Sequence, residues 1–309
     1  MSRKAFFFID DVIWVFRDLT RKNYDSMFDH PFLKVLKDAH DQYGLKTQLN
    51  IFYMTDTYYN NDIFTLAEMT DKYKKEWEDA SDWLKFGFHS RKEFPDYPYI
   101  NANYQDVYDD FKMIEKEVLR FASAKNISKA TTSHWRPLSK EACLALRDCG
   151  MKLLSATYGK KIEYDNDPAS LPYGHAARLL CNRKPETGIF IRETIDKAIT
   201  KSLAGYNHIT EEQRELTKYN TGVITDEETG LKFKDLAGGG ITVNLQTQEN
   251  IIDALAPKMD VEFYCYGSHE QYFYPEYFAY QEDYAAKTLK AAKYLHDNGY
   301  EFIFSEDLV

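Results

Sequence analysis

The chain is short of the features that mark several whole classes of protein. It has four cysteines in 309 residues, Cys143, Cys149, Cys181 and Cys265. None falls in a C-x-x-C pair, so they read as reduced thiols rather than a disulfide framework or zinc knuckle. No apolar run approaches the ~20 residues a membrane span needs. The start, "MSRKAFFFIDD", is charged, but its apolar run is short and ends in two aspartates, unlike a signal peptide. A soluble, cytoplasmic protein is the expectation. Positive charge is in deficit, with 39 Lys and Arg against 49 Asp and Glu and a net charge of −10. That balance argues against a nucleic-acid partner. Glycine is sparse as well. Its one cluster, Gly238 to Gly240, precedes a predicted strand instead of opening a helix, so it is not a phosphate loop.

What is present is a globular composition, 44% hydrophobic, 28% charged and 16% aromatic, in a chain long enough to bury a full core. Strands and helices alternate. "KAFFFID" reads as a buried strand. "DHPFLKVLKDAHDQYG" reads as a helix capped by Asp29 and ended by Gly44. "KTQLNIFYM" is a strand, "IFTLAEMTDKYKKEWEDASDWL" a helix, and "LKFGF" a third strand. A helix follows on Val107, Phe111, Ile114, Val118 and Phe121. "SKATTS" is a weakly patterned strand, "SKEACLALRDCG" a helix capped by Ser139 and stopped by Gly150, and "KLLSAT" a fifth strand.

Residues 159–240 break the rhythm and are expected to form an inserted α+β segment. Within it "KAITKSLAG" and "TEEQRELTKY" look helical, and "TGIFIRE" and "TGLKFKD" look like strands. Strand "ITVNLQ", helix "ENIIDALA", strand "VEFYCYG", helix "YAAKTLKAAKYLHDNG" and strand "YEFIFS" then resume the alternation. This order implies a parallel sheet. The expected fold is α/β, a single distorted (β/α) barrel of seven or eight strands over residues 1–309, with an open doubly wound sheet as the alternative.

In such folds chemistry gathers at the C-terminal ends of the strands. The first strand ends in Asp10 and Asp11, the third in His89, the fourth in His134, and "VEFYCYG" runs into Ser268, His269 and Glu270. A double aspartate after a strand is commonly a cap or turn, and a lone histidine there is commonly structural. Four strand ends bringing acids and imidazoles to one rim point instead to a divalent metal, for which Asp plus two His is a common set of ligands. An ion would also turn the repulsion of adjacent carboxylates into attraction.

At these residues the chain resembles the polysaccharide deacetylase superfamily (NodB homology, carbohydrate esterase family 4), in a divergent branch. The resemblance implies a distorted β/α barrel, a divalent metal, usually zinc, and hydrolysis of N-acetyl groups on sugars. The paired aspartate "FFFIDD" would make Asp10 the general base and Asp11 a metal ligand. The family's H-[S/T]-x-x-H appears as "HSRKE", with His89 and Ser90 in place but Glu93 at the last position. Either Glu93 or His134 would then complete the ligand set, and the place of His134 at a strand end favours the imidazole. "HWRPLS" resembles the motif whose arginine steadies the base, here Arg136. "YCYGSHE" resembles the late motif, with His269 as the acid.

The expected function is therefore a Zn2+-dependent hydrolase removing an N-acetyl group from a sugar or glycan precursor, with aromatic segments such as "HEQYFYPEYFAY" offering faces to sugar rings. The alternatives are an O-acetyl esterase and a non-catalytic carbohydrate-binding barrel.

Overall fold

The computed structural model describes residues 3–56, 62–94, 98–99, 101–136, 138–155, 162–163, 202–203, 209–236 and 241–309. Strand β1 (Arg3–Val12) is buried from Ala5 to its end. Its unbroken apolar run serves two cores. Ala5, Phe7 and Ile9 face one cluster and Phe6 and Phe8 the other, as the two-residue period of a strand requires. Helix α1 (Trp14–Lys22) follows at once. Helix α2 (Pro31–Tyr43) is capped by His30, whose ring accepts the N–H of Phe32, not by Asp29 as the sequence suggested. Asp29 instead closes a one-turn capping box with Ser26. Gly44, at φ 69°, ends α2 in the left-handed conformation that glycine adopts without strain.

Strand β2 (Thr47–Phe52) is followed not by the long helix expected but by helix α3 (Lys74–Asp79) alone. Thr65 and Glu68 cap a single turn at Leu66–Glu68, and local side-chain bonds of this kind compete with a continuous helix. Next come β3 (Leu84–Ser90), α4 (Tyr104–Phe121), the two-residue β4 (Ala130–Thr131), α5 (Lys140–Asp148) and β5 (Leu153–Ser155). Ser139 caps α5 through the N–H of Ala142.

Much of the stretch read as an insertion, including "TGIFIRE", lies outside the described residues. Within it β6 (Ile162–Glu163) pairs antiparallel with β7 (Ser202–Leu203). Ser202 and Leu203 are thus extended, where "KAITKSLAG" was read as helical. Helix α6 (Glu211–Leu216) forms as expected, followed by β8 (Ile224–Thr225) and β9 (Lys232–Lys234). "ITVNLQ" is a 3-10 turn at Val243–Leu245 with a single bridge, Thr242 to Gly267, rather than a strand. Helix α7 (Ile251–Leu255), β10 (Phe263–His269), α8 (Tyr284–Asp297) and β11 (Tyr300–Phe302) complete the chain.

The fold is α/β with parallel pairing, ordered β10–β1–β2–β3, with β11 alongside the start of β1. A second sheet, β4–β5–β9–β8, is parallel except for its last pair. Its strand β9 lies inside the stretch read as an insertion. The sheets curve around a shared interior: Phe6 and Phe8 of β1, Phe263 and Cys265 of β10, Ala130 of β4 and Leu153 of β5 form one buried cluster. The ring is a distorted barrel whose backbone hydrogen bonding does not close among the described residues. The helices lie outside, over the larger core. No helix among the described residues is long and apolar enough to cross a membrane.

Candidate metal centre

Two irregularities of the sheet, both at the C-terminal ends of strands, build the centre. Between β1 and β2 the register passes from Ile9↔Leu49 to Val12↔Ile51, so β1 carries one extra residue at Asp10 and Asp11. Asp11 sits at φ 63°, in the left-handed region. Adjacent residues of a regular strand point to opposite faces, and a bulge re-aims them. Here both carboxylates turn toward one imidazole: His89 lies with Nδ1 4.0 Å from Asp10 and Nε2 3.0 Å from Asp11. His89 is itself the extra residue of a second shift, since Ile51↔Phe88 is followed by Phe52↔Ser90. His134 follows β4 in a turn closed by Arg136 N–H to Ser133 C=O at 2.8 Å. Trp135 and Arg136 after it have φ 61° and 71°. Such conformations cost non-glycine residues on the order of 1–3 kcal/mol each and concentrate at functional sites.

Asp11, His89 and His134 converge into one buried group, the candidate metal-holding cluster among the described residues. Nδ1 of His134 lies 3.3 Å from Asp11 Oδ1 and 3.1 Å from His89 Nε2. Ligands bound to a tetrahedral ion at about 2.0–2.1 Å stand roughly 3.3 Å apart, so the three atoms are spaced as one ion would space them. His89 Nδ1 meets the carbonyl of Thr132 at 2.6 Å and donates to it, which fixes the ring and turns Nε2 inward. The donor set, one carboxylate and two imidazoles, suits zinc and similar divalent ions.

The electrostatics follow from burial. Desolvation alone would raise the Asp11 pKa, but His134 and His89 outweigh it and hold the carboxyl well below its ordinary value. Burial presses His89 down, yet the charges of Asp10 and Asp11 win and its pKa is raised. Burial prevails for His134, whose pKa is lowered.

Glu93 is buried on the other side of His134, with Oε1 3.9 Å from Nε2, the ring nitrogen turned away from Asp11. Its second oxygen accepts from Gln271 at 3.3 Å. Asp10 stands at the edge of the group, paired in register with His269 across β1 and β10. Its Oδ1 accepts from Asn50 Nδ2 at 2.7 Å. The Asn50 oxygen is itself taken by Gln48 Nε2 at 2.8 Å, so the amide can turn only one way. Gly87 packs beneath this pair, and a Cβ there would lie 2.1 Å from the Asn50 oxygen. Arg136 is half-buried and forms no ion pair with Asp10 among the described residues. His269 Nδ1 meets Asn244 Oδ1 at 3.1 Å, and that oxygen also accepts the His269 N–H.

Glu270 is buried next to it and accepts three backbone N–H groups, from Ile13, Trp14 and Val15, at 2.7–2.8 Å. It caps α1 from the 3-10 turn that follows β10 and ties the ends of β1 and β10 together. Burial raises its pKa to about 7, against the pull of those three donors.

Asn50, Gln48 and Asn244 escaped the sequence reading, and Glu270 was named there as an acid beside His269 but not as a cap. Gln48 and Asn50 did leave a signal, two amides at alternate positions of an otherwise apolar strand, hence on one face. Asn244 and the capping role of Glu270 left none, because their partners lie far away in sequence.

No family model and no curated protein sequence matches the chain. Among solved structures it is similar to a 4-alpha-glucanotransferase from Thermococcus litoralis, at 10% identity and a TM-score of 0.52. That likeness covers 100% of this chain but 40% of the glucanotransferase, and it concerns the fold. Two further solved structures are similar. One is the Xyl-CE4 domain of a multidomain xylanase from the hindgut metagenome of Trinervitermes trinervoides, at 9% identity, TM-score 0.41, and coverage of 100% and 90% of the two chains. The other is a T48 deacetylase with substrate, at 10% identity, TM-score 0.41, and coverage of 99% and 90%.

Proposed function

We propose that the protein is a metal-dependent deacetylase acting on an N-acetylated sugar or glycan precursor. The observation that carries this reading is the convergence of Asp11, His89 and His134, with the His89 ring fixed by Thr132 so that its second nitrogen faces the other two. These three residues would hold a divalent ion, zinc by donor type. When bound, such an ion acidifies a water molecule and polarises the acyl carbonyl.

The remaining roles fall to the chain's own side chains. Asp10, held by Asn50, takes the proton from the attacking water. His269, held by Asn244 through Nδ1, gives a proton from Nε2 to the departing amine. Asn50 does for Asp10 by hydrogen bonding what Arg136 was expected to do by charge. Glu93, 3.9 Å behind the His134 ring, stands where an outer partner of the ligand would, a place carboxylates take beside metal-bound histidines.

The test is metal content followed by acetate release. The purified protein should bind about one equivalent of zinc or cobalt and release acetate from N-acetyl-sugar oligomers. A protein with no metal affinity and no release after adding either ion would sink the proposal. Faster hydrolysis of chromogenic acetyl esters than of sugar amides would move the assignment to an O-acetyl esterase.

A further inference from the structure

A second concavity lies apart from the metal centre and shares none of its residues. It is a cleft of about 290 Å³ between α1, the start of α2 and the segment leading into α8. That is near the lower end of the roughly 300–1,000 Å³ typical of small-molecule sites, enough for one or two sugar rings. Its floor is buried and polar: Asp18, His30 and Gln281 lie there with Tyr274 and Tyr284. Its carboxylate and amide are already engaged. Asp18 pairs with Arg17 and Lys22, and Gln281 donates to the carbonyl of Asn244 at 2.7 Å. Recognition therefore falls to the walls and mouth.

Those carry two chemistries. The walls offer aromatic faces from Tyr24, Phe273 and Tyr280. Tyr280 is 37% exposed. The hydroxyls of Tyr24 and Tyr280 make no hydrogen bond among the described residues. The mouth carries Glu276 and Glu282 against Lys22, and Lys22 is already committed to Asp18. Glu276 holds Arg17 at 2.6 Å, whereas Glu282 forms no ion pair among the described residues. Carboxylates thus outnumber cations, which disfavours phosphates, nucleotides and uronates. Aromatic faces beside an uncompensated carboxylate suit a cation on a ring with apolar C–H faces.

We propose that this cleft binds a hexosamine unit with an unsubstituted amine, stacking its ring on Tyr280 and Tyr24 and pairing its ammonium with Glu282. The choice of an amino sugar over other ring-borne cations rests on the function proposed above, since deacetylation yields such units. The floor residue Tyr274 donates its hydroxyl to Glu270 at 3.3 Å. Glu270 follows His269, so the cleft is wired to the segment that carries the acid.

The experiment is calorimetric titration of the full chain with a glucosamine disaccharide, its N-acetylated counterpart, cellobiose and choline. The glucosamine disaccharide should bind most tightly. Glu282→Gln and Tyr280→Ala, both at exposed positions, should each weaken it fivefold or more, and Glu282→Gln should leave cellobiose unchanged. Asp11→Asn should retain the binding, which separates this cleft from the metal centre. Loss of metal binding with this affinity intact would count against the proposed function alone. The proposal is overturned by any of three results: no saccharide binds, binding is unchanged in both cleft variants, or choline binds as tightly as the disaccharide.

Discussion

β1 runs for ten residues and keeps a continuous parallel register with β10, whereas β4, across the site, runs for two. Both lead to residues of the centre. Asp11 and His89 are bulged out of long strands whose flanking register holds them in place. His134 has little strand behind it. It is held by its own N–H to the carbonyl of His89 at 3.0 Å, by the turn through Ser133, and by rings such as Phe52, 5.1 Å away. The long strands provide a frame, and the short ones are fastened to it by particular bonds. Precise placement therefore does not need an extended ladder at every ligand.

Five substitutions sharpen this contrast. The largest effect is expected from Asp11→Ala, which removes the shared partner of both histidines. Zinc affinity should fall by more than about 100-fold, since outer partners alone are worth about 10–100-fold. Metal analysis after gel filtration would check it. Next come the two frames. Phe7 is fully buried and packs on Tyr266 at 4.6 Å between ring centres. Phe7→Ala should cost about 3–5 kcal/mol, and Leu153→Ala in the second sheet nearer 2 kcal/mol because short strands relax more readily. Urea midpoints decide, and equal losses would erase the distinction.

Asn50→Ala should lower deacetylation about 10- to 100-fold with metal content unchanged, because it loosens Asp10 and leaves the ligands alone. Acetate release at a fixed metal load measures it, and unchanged turnover would remove Asn50 from the mechanism. The last concerns Glu270, whose carboxyl burial raises to about 7 from an ordinary value of 4.5. A carboxyl whose pKa rises on folding contributes stability that is complete below the unfolded value and lost as pH climbs through the folded one. Between about pH 4.5 and 7 the wild-type protein should therefore lose stability relative to Glu270→Gln. Melting temperatures of the two proteins measured across that range would check it, and a difference that stays constant with pH would overturn it.

How far the sequence could be read follows from the same division. The long strands announced themselves through apolar runs and period-two patterning, and the residues at their ends could be named. The helix read over "IFTLAEMTDKYKKEWEDASDWL" failed because the apolar spacing was right while Thr65, Glu68 and Thr70 diverted the backbone into turns. "ITVNLQ" failed because alternation over six residues does not distinguish a strand from a 3-10 turn bridged once. Asn244, on that turn, was lost with it. The bulges were invisible, since each is defined by what the neighbouring strand does. The aspartate pair could be seen, but not the geometry that turns both side chains toward one imidazole.

That geometry makes the centre a matter of counting as well as of residue type. β1 is one residue out of step with β2 between Ile9 and Val12, and β3 is out of step with β2 at His89. Removing a single residue within Phe8 to Val12 would restore an ordinary ladder and could preserve every apolar contact further along. It would also send one aspartate back to the opposite face. A chain could thus lose its chemistry by a change of length that leaves its fold, its composition and nearly all of its sequence intact.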